Sequence, residues 1–115
     1  MSILSLSELQ SKFKFIIDIE YIDFRSTNSF YYSKFILVFK DQSKMFITEF
    51  VSLNERSYSY HLQNQQNELI QRWDNSPHHS ELETFPHHTH LGNDILGSKE
   101  ITLEDVLILI SSRFG

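Results

Sequence analysis

The sequence predicts a single α+β domain over residues 1–115. We expect an N-terminal helix, an antiparallel meander of about five strands, a long His-rich loop, and a C-terminal helix packed on one face of the sheet. Apolar residues recur at helical spacing at both ends of the chain, each time behind a helix-capping motif. Between these ends, apolar and polar residues alternate, which is typical of half-buried strands. The chain is 40% hydrophobic and 14% aromatic, which is enough apolar surface for one core at this length.

The N-terminal helix is predicted from Leu6 to Phe13. The sequence Ser-Leu-Ser-Glu at 5–8 is a capping box, in which the first serine hydroxyl accepts from the glutamate N–H and the glutamate carboxylate reaches back. Leu6, Leu9 and Phe13 then lie on one helical face. This spacing indicates a short amphipathic helix that packs on the sheet.

Strands are predicted in the middle of the chain, where β-branched and aromatic residues alternate with polar ones. The polar clusters between them, at 26–29, 41–44 and 63–67, are short. Short connections favour antiparallel neighbours, because a parallel pair needs a long crossover. The five predicted segments are Phe15–Ile22, Lys34–Lys40, Met45–Val51, Ser57–His61 and Glu68–Trp73.

The stretch from Asp74 to Ile101 shows no sustained periodicity and is interpreted as a long ordered loop wrapped on the sheet. A second capping box follows at 102–105, with the sequence Thr-Leu-Glu-Asp. The residues after it have helical spacing, which predicts a helix buried against the sheet. Its apolar positions are Leu103, Val106, Leu107, Ile110 and Phe114.

Composition excludes several classes of protein. There is no cysteine, which excludes disulfides and any Cys-ligated zinc or iron–sulfur site. The net charge of −5 argues against tight, nonspecific binding to nucleic acid. No basic leader or long apolar run is present, so we expect a soluble, cytoplasmic protein without membrane contact.

Histidines are concentrated in one window of the sequence. Five of the six histidines fall between residues 78 and 90, where Pro-His-His occurs twice. The sixth, His61, lies between Tyr60 and Leu62, should point opposite to Tyr60, and is interpreted as structural. The five in the window are His78, His79, His87, His88 and His90.

One hypothesis for this window is metal-free acid–base chemistry on RNA. Two imidazoles in opposed protonation states could take a proton from a 2′-hydroxyl and return one to the leaving group. Arg72 or Arg56 could stabilise charge on the phosphorane. Aromatic side chains could stack on a base, although core packing is the alternative for them. The candidate catalytic residues are the five histidines, Arg72 and Asp74, and the candidate stacking residues are Tyr58, Tyr60 and Trp73.

Two further hypotheses remain open for the same window. The first is a divalent metal site formed by His87, His88 and His90. His78 and His79 could supply a second set of ligands, and Asp74, Glu81 or Glu83 could add an oxygen ligand. Adjacent histidines on an extended chain point apart, so one of each pair should face a common centre. No other cofactor is expected. The second hypothesis is that the histidines are structural and that the loop is a noncatalytic docking surface for a partner.

The window resembles a known family. The segments SYSYH at 57–61, RWDNSPHH at 72–79, TFPHHTH at 84–90 and TLEDVL at 102–107 are similar to small prokaryotic proteins grouped with the TumE-type toxins of toxin–antitoxin pairs. The resemblance covers about the second half of the chain. It implies a toxin encoded beside an antitoxin with a helix-turn-helix, and an activity that cleaves RNA. A protein partner is therefore expected, with RNA and a second copy of the chain as further candidates.

Overall fold

A computed structural model describes residues 5–77 and 82–115. Helix α1 spans Leu6–Lys12 and helix α2 spans Leu103–Ile110, and a 3₁₀ turn follows at Ser111–Phe114. Both predicted capping boxes are formed, at Ser5 for α1 and at Thr102 for α2. None of the helices in the described ranges is long and apolar enough to cross a membrane.

The described residues form one antiparallel sheet of seven strands, and the strand order in the sheet follows the order in the chain. Each strand pairs with the next through a short connection or, between the fifth and sixth, a longer one. The sheet is therefore a meander. The strands are β1 Ile16–Ser26, β2 Phe30–Phe39, β3 Lys44–Ser52, β4 Arg56–Gln63, β5 Leu69–Asp74, β6 His88–Leu91 and β7 Asp94–Gly97.

The α+β class, the terminal helices and the antiparallel meander are confirmed, but the count of about five strands is wrong. Two short strands, β6 and β7, lie in the stretch that was interpreted as a loop. In β6 both His88 and Thr89 are buried, so the strand lacks the apolar alternation by which a half-buried strand is recognised. His88 and His90 therefore lie on a strand of the sheet.

The helices cover one face of the sheet and enclose the core against it. Tyr60, Trp73 and Thr89 are register partners on β4, β5 and β6, and all point to this helix-covered face. Val106 and Leu107 of α2 are fully buried in the same core. Because side chains alternate along a strand, the residues between them point to the opposite, open face.

A matched pair of leucines on α2 tests this packing. Leu107 is 0% exposed and Leu109 is 60% exposed. Leu107→Ala is expected to lower the free energy of unfolding by about 2–5 kcal/mol, because it removes buried apolar surface and leaves a cavity. Leu109→Ala is expected to change it by less than about 0.5 kcal/mol. Urea denaturation of the two variants measures the difference, and equal losses would contradict the packing described for α2.

Candidate functional site

The last residue of β5 and the first residue of β6 form a buried pair. Asp74 and His88 are register partners, and both are 2% exposed. The Nε2 atom of His88 lies 2.8 Å from Oδ1 of Asp74, and its Nδ1 lies 3.0 Å from the carbonyl oxygen of Pro86. A carbonyl oxygen only accepts, so Nδ1–H is the donor to Pro86. Nε2 then faces the carboxylate with a second proton or with a bound cation.

The same carboxylate contacts two more groups. Nε of Arg72 donates to Oδ2 of Asp74 at 2.9 Å, and Nε2 of His90 lies 3.5 Å from that oxygen. The rings of His88 and His90 meet edge to face, with centroids 4.9 Å apart. The side chains of Arg72 and His90 are 38% and 26% exposed, so this part of the cluster reaches solvent. The buried carboxylate of Asp74 therefore contacts an arginine and an imidazole that are both partly accessible to solvent.

Several contacts keep Asp74 ionised. Burial by itself would raise the pKa of this carboxyl group, since it disfavours the charged form. The backbone N–H of Ser76, the hydrogen bond from Arg72 and the charge of His88 outweigh burial, and the pKa of Asp74 lies below its ordinary value. At neutral pH the carboxylate is thus available to stabilise positive charge on the groups around it.

The lowered pKa of Asp74 predicts a pH dependence of stability. The ionised carboxylate stabilises the fold above the unfolded-state pKa of about 3.9, and this contribution is lost as the pH falls through the lower folded-state pKa. We expect acid unfolding of the wild type to be steeper below about pH 4 than that of Asp74→Asn, which cannot titrate. Asp94→Asn, on the exposed β7, is the matched control and should follow the wild type. Superimposable acid-unfolding curves for wild type and Asp74→Asn, measured by circular dichroism, would contradict this prediction.

A third histidine shares the open face with this cluster. His61 on β4 is the register partner of Arg72 on β5, and Arg72 is the register partner of His90 on β6. Arg72 therefore lies between two imidazoles on the flanking strands, whose backbones are about 10 Å apart at the usual strand spacing. Burial and then the charge of Arg72 hold the pKa of His61 below its ordinary value, so this ring is neutral at pH 7.

His61 and Arg72 also line a shallow cleft on the open face of about 470 Å³. Phe46 forms one side of it, with its ring centroid 6.0 Å from that of His61. The other lining residues are Thr48, Ser59 and Gln63. The cleft thus combines an aromatic side, a neutral imidazole and a guanidinium group.

The two histidines of the second Pro-His-His have separate surroundings. Nδ1 of His87 lies 2.9 Å from the hydroxyl of Tyr58, toward the helix-covered face. His88 points the other way, to Asp74. Of the predicted metal ligands, His88 and His90 thus lie beside Asp74, whereas His87 faces Tyr58. In the described part of the chain, the donor atoms that come within 4.8 Å of one another belong to Asp74, His88 and His90.

The other predicted site residues divide into two groups. Tyr58, Tyr60 and Trp73, candidates for base stacking or for core packing, are 3%, 0% and 4% exposed in the core. A buried ring cannot stack on a base without leaving that core, and the three lie on the face opposite the cluster. His78, His79 and Glu81 lie outside the described residues.

His61, which the sequence indicates to be structural, joins the candidate residues through its position on the open face beside Arg72. A lone histidine between Tyr60 and Leu62 is more often structural, and nothing nearby in the sequence marks it. The signal that was available is the strand period, which places His61 and Arg72 on the face away from the two tyrosines. Only the pairing of β4 with β5 shows that these two side chains are neighbours.

Comparisons with known proteins agree with the resemblance seen in the second half of the chain and extend it. No curated protein matches the chain, and no solved structure matches it. A family model described as Toxin TumE matches residues 6–114, which is nearly the whole chain and includes every residue of the cluster at Asp74. The chain therefore belongs to the TumE toxin family.

Proposed function

We propose that this toxin cleaves RNA by metal-free acid–base chemistry on the open face of the sheet. The observation that carries the proposal is the placement of Arg72 between His61 and His90, with Asp74 beneath them. Transfer of a phosphoryl group to a 2′-hydroxyl requires a base, an acid and a group that stabilises negative charge. Two imidazoles with different electrostatic surroundings, and a cation between them, can supply these.

The surroundings of each ring suggest its role. His61 is neutral, so it can take the proton from the 2′-hydroxyl of the RNA. The 2′-oxygen then bonds to the adjacent phosphorus, and Arg72 stabilises the negative charge of the phosphorane. His90, whose Nε2 lies 3.5 Å from the Asp74 carboxylate, acts as the acid and gives a proton to the 5′-oxygen as the phosphorus–oxygen bond breaks. The products are a 2′,3′-cyclic phosphate and a 5′-hydroxyl.

The cleft also suggests how the substrate is held. Phe46 is the aromatic residue that lines it, so this ring, rather than the buried tyrosines, is the one placed to contact a base. The net charge of −5 provides little general attraction for phosphate. We therefore expect recognition of a short single-stranded segment, in which a few contacts near the cleaved bond supply the affinity.

Cleavage of a synthetic RNA oligonucleotide in the presence of EDTA tests the proposal. The expected products carry 2′,3′-cyclic phosphate and 5′-hydroxyl ends, which mass spectrometry identifies. The matched control is the same oligonucleotide with 2′-deoxyribose at the cleaved position, which should remain intact because it lacks the attacking hydroxyl. Cleavage of this control, or abolition of cleavage by EDTA, would show that another mechanism operates.

A second candidate function is metal binding by Asp74, His88 and His90. The donor atoms of these three residues lie within 4.8 Å of one another. Nδ1–H of His88 donates to a backbone carbonyl, and Asp74 accepts from Arg72, which is how ligands of a metal are usually oriented by surrounding groups. Two imidazoles and one carboxylate suit zinc or iron. A metal here would replace the proton on Nε2 of His88.

Thermal unfolding with added zinc distinguishes this candidate. If the site binds zinc, a concentration of about 100 times the dissociation constant should stabilise the untagged wild type by about 2.7 kcal/mol. His88→Gln should abolish the shift in melting temperature, and His87→Gln should retain it, because His87 faces Tyr58. No shift in the wild type, or the same shift in both variants, would argue against a specific metal site.

A further inference from the structure

The open face of the sheet continues beyond the cleft along β3. Strands β2, β3 and β4 pair without a register shift, so residues opposite one another share a face. Phe46, which lines the cleft, is the register partner of His61. The next residues of β3 on that face are Thr48 and Phe50, and Phe50 lies about 13 Å from Phe46 along the strand. The face therefore extends far enough from the cleft to contact a neighbouring nucleotide.

Strand β2 places a lysine and a tyrosine beside this part of β3. Lys34 is the register partner of Thr48, and Tyr32 is the register partner of Phe50. Lys34 is exposed and Tyr32 is partly exposed. Along the open face, the ring of Phe46 is thus followed by an ammonium group and then by a second pair of aromatic rings. Aromatic rings for the bases and a cation for the backbone are the groups by which proteins bind single-stranded nucleic acid.

The fold does not use the polar groups of Lys34 and Tyr32. Within the described ranges the ammonium group of Lys34 makes no ion pair, and the hydroxyl of Tyr32 makes no hydrogen bond. Asp23, the register partner of Lys34 on β1, contacts Arg25 at 3.3 Å instead. In the same part of the chain the ring of Tyr32 contacts no other aromatic ring. Both side chains are therefore available to a ligand.

The accessible charge on the open face of β2 to β5 is positive. Lys34, Lys44 and Arg72 point to this face. The carboxylate that shares it, Asp74, is 2% exposed and already accepts from Arg72. Acidic side chains of the open face lie instead on the end strand β1, at Asp18, Glu20 and Asp23. A phosphate backbone is therefore attracted along β2 and β3 and repelled from β1, although the net charge of the chain is −5.

We propose that Tyr32 and Lys34 form a second RNA subsite beside the cleft. The ring of Tyr32 stacks on the base of one nucleotide, and the ammonium group of Lys34 contacts the phosphate on the side toward the cleft. Phe30 stacks on Phe50 with ring centroids 5.6 Å apart, which holds the ring beside Tyr32 in place. This inference rests on the proposed function, because its ligand is RNA. It adds a site that selects single strands, since the bases of a duplex are stacked on one another and not available to Tyr32.

Binding of a labelled single-stranded hexanucleotide, measured by fluorescence anisotropy, tests the subsite. Uniform 2′-O-methyl ribose removes the attacking hydroxyl, so binding is measured whether or not the protein cleaves RNA. Tyr32→Leu should weaken binding by about fivefold or more, the usual effect of losing one stacked base. The matched control is Tyr31→Leu, because Tyr31 points to the opposite face and contacts Phe24. It should bind within about twofold of the wild type.

The salt dependence of binding supplies an independent readout for Lys34. Lys34→Gln should weaken binding and should lower the slope of log affinity against log salt concentration by about 0.7, the contribution of one phosphate contact on a single strand. Lys14→Gln, between α1 and β1, changes the net charge equally and should leave the slope unchanged. Both lysines are exposed, so both variants should fold as the wild type does.

The subsite would be overturned if Tyr32→Leu and Lys34→Gln bound the hexanucleotide as the wild type does. It would also be overturned if the wild type did not bind the strand, or bound the same sequence equally well in a duplex. Cleavage assays distinguish the two proposals. If the wild type and both subsite variants cleave RNA equally well, the acid–base mechanism stands and the subsite is wrong. If binding follows the expected pattern but RNA stays intact, the subsite stands and the cleavage mechanism fails.

Discussion

Replacement of either His61 or His90 by glutamine is expected to lower the rate of RNA cleavage by about 10²–10⁴-fold, the usual contribution of a general acid or base. The two variants should differ in their pH dependence. The wild-type rate should fall as the pH drops through the pKa of His61, which lies below the ordinary histidine value of about 6.5. His61→Gln should lose this acidic limb, because no base remains to be protonated there. Initial rates on the RNA oligonucleotide across pH 4–9 measure both effects.

His87→Gln is the matched control for these variants. It is a histidine of the same window, but its ring contacts Tyr58 near the helix-covered face. It should therefore cleave at close to the wild-type rate. If His61→Gln and His90→Gln are folded and retain full activity, the assignment of the acid and the base is wrong.

His88→Gln is expected to lower the free energy of unfolding by about 3–5 kcal/mol, the usual cost of removing one partner from a buried ion pair. The substitution removes the ring between Asp74 and the carbonyl oxygen of Pro86. Asp74 is 2% exposed in the wild type. In the variant its carboxylate would still be buried, with fewer groups to compensate its charge. Urea denaturation, followed by circular dichroism, measures the loss.

The adjacent histidine again supplies the comparison. His87→Gln removes a single hydrogen bond to Tyr58, which is worth about 0.5–1.5 kcal/mol. Neighbouring residues of one Pro-His-His motif should thus differ severalfold in their effect on stability. If the two variants lose the same free energy of unfolding, the buried pair at Asp74 does not have the structural role described here.

Both ends of the chain could be predicted because their signals are local. The capping boxes at Ser5 and Thr102 use residues three positions apart, so the sequence contains both partners of each hydrogen bond. The strands from β1 to β5 have apolar residues on the side that faces the helices, and the resulting alternation is visible without knowledge of their neighbours. Strand ends were less accurate: β1 extends to Ser26 and β2 begins at Phe30, beyond the predicted limits.

The histidine window could be predicted only in part. The alternation rule correctly indicated that neighbouring histidines point apart, as His87 and His88 do. It could not indicate which of the two meets Asp74, because that depends on how β6 pairs with β5. It also could not predict β6 itself, whose buried residues are polar and whose stability comes from hydrogen bonds to its neighbours.

The amino-acid sequence by itself determined the helices with their caps, the period of the first strands, and membership of a family through an unusual string of residues. Those properties depend on residues that are close together in the chain. Tertiary structure decided that His61, Arg72, Asp74, His88 and His90 lie on one face of three paired strands. The register between strands is a long-range property, and a shift of one residue would have turned each of these side chains to the other face of the sheet.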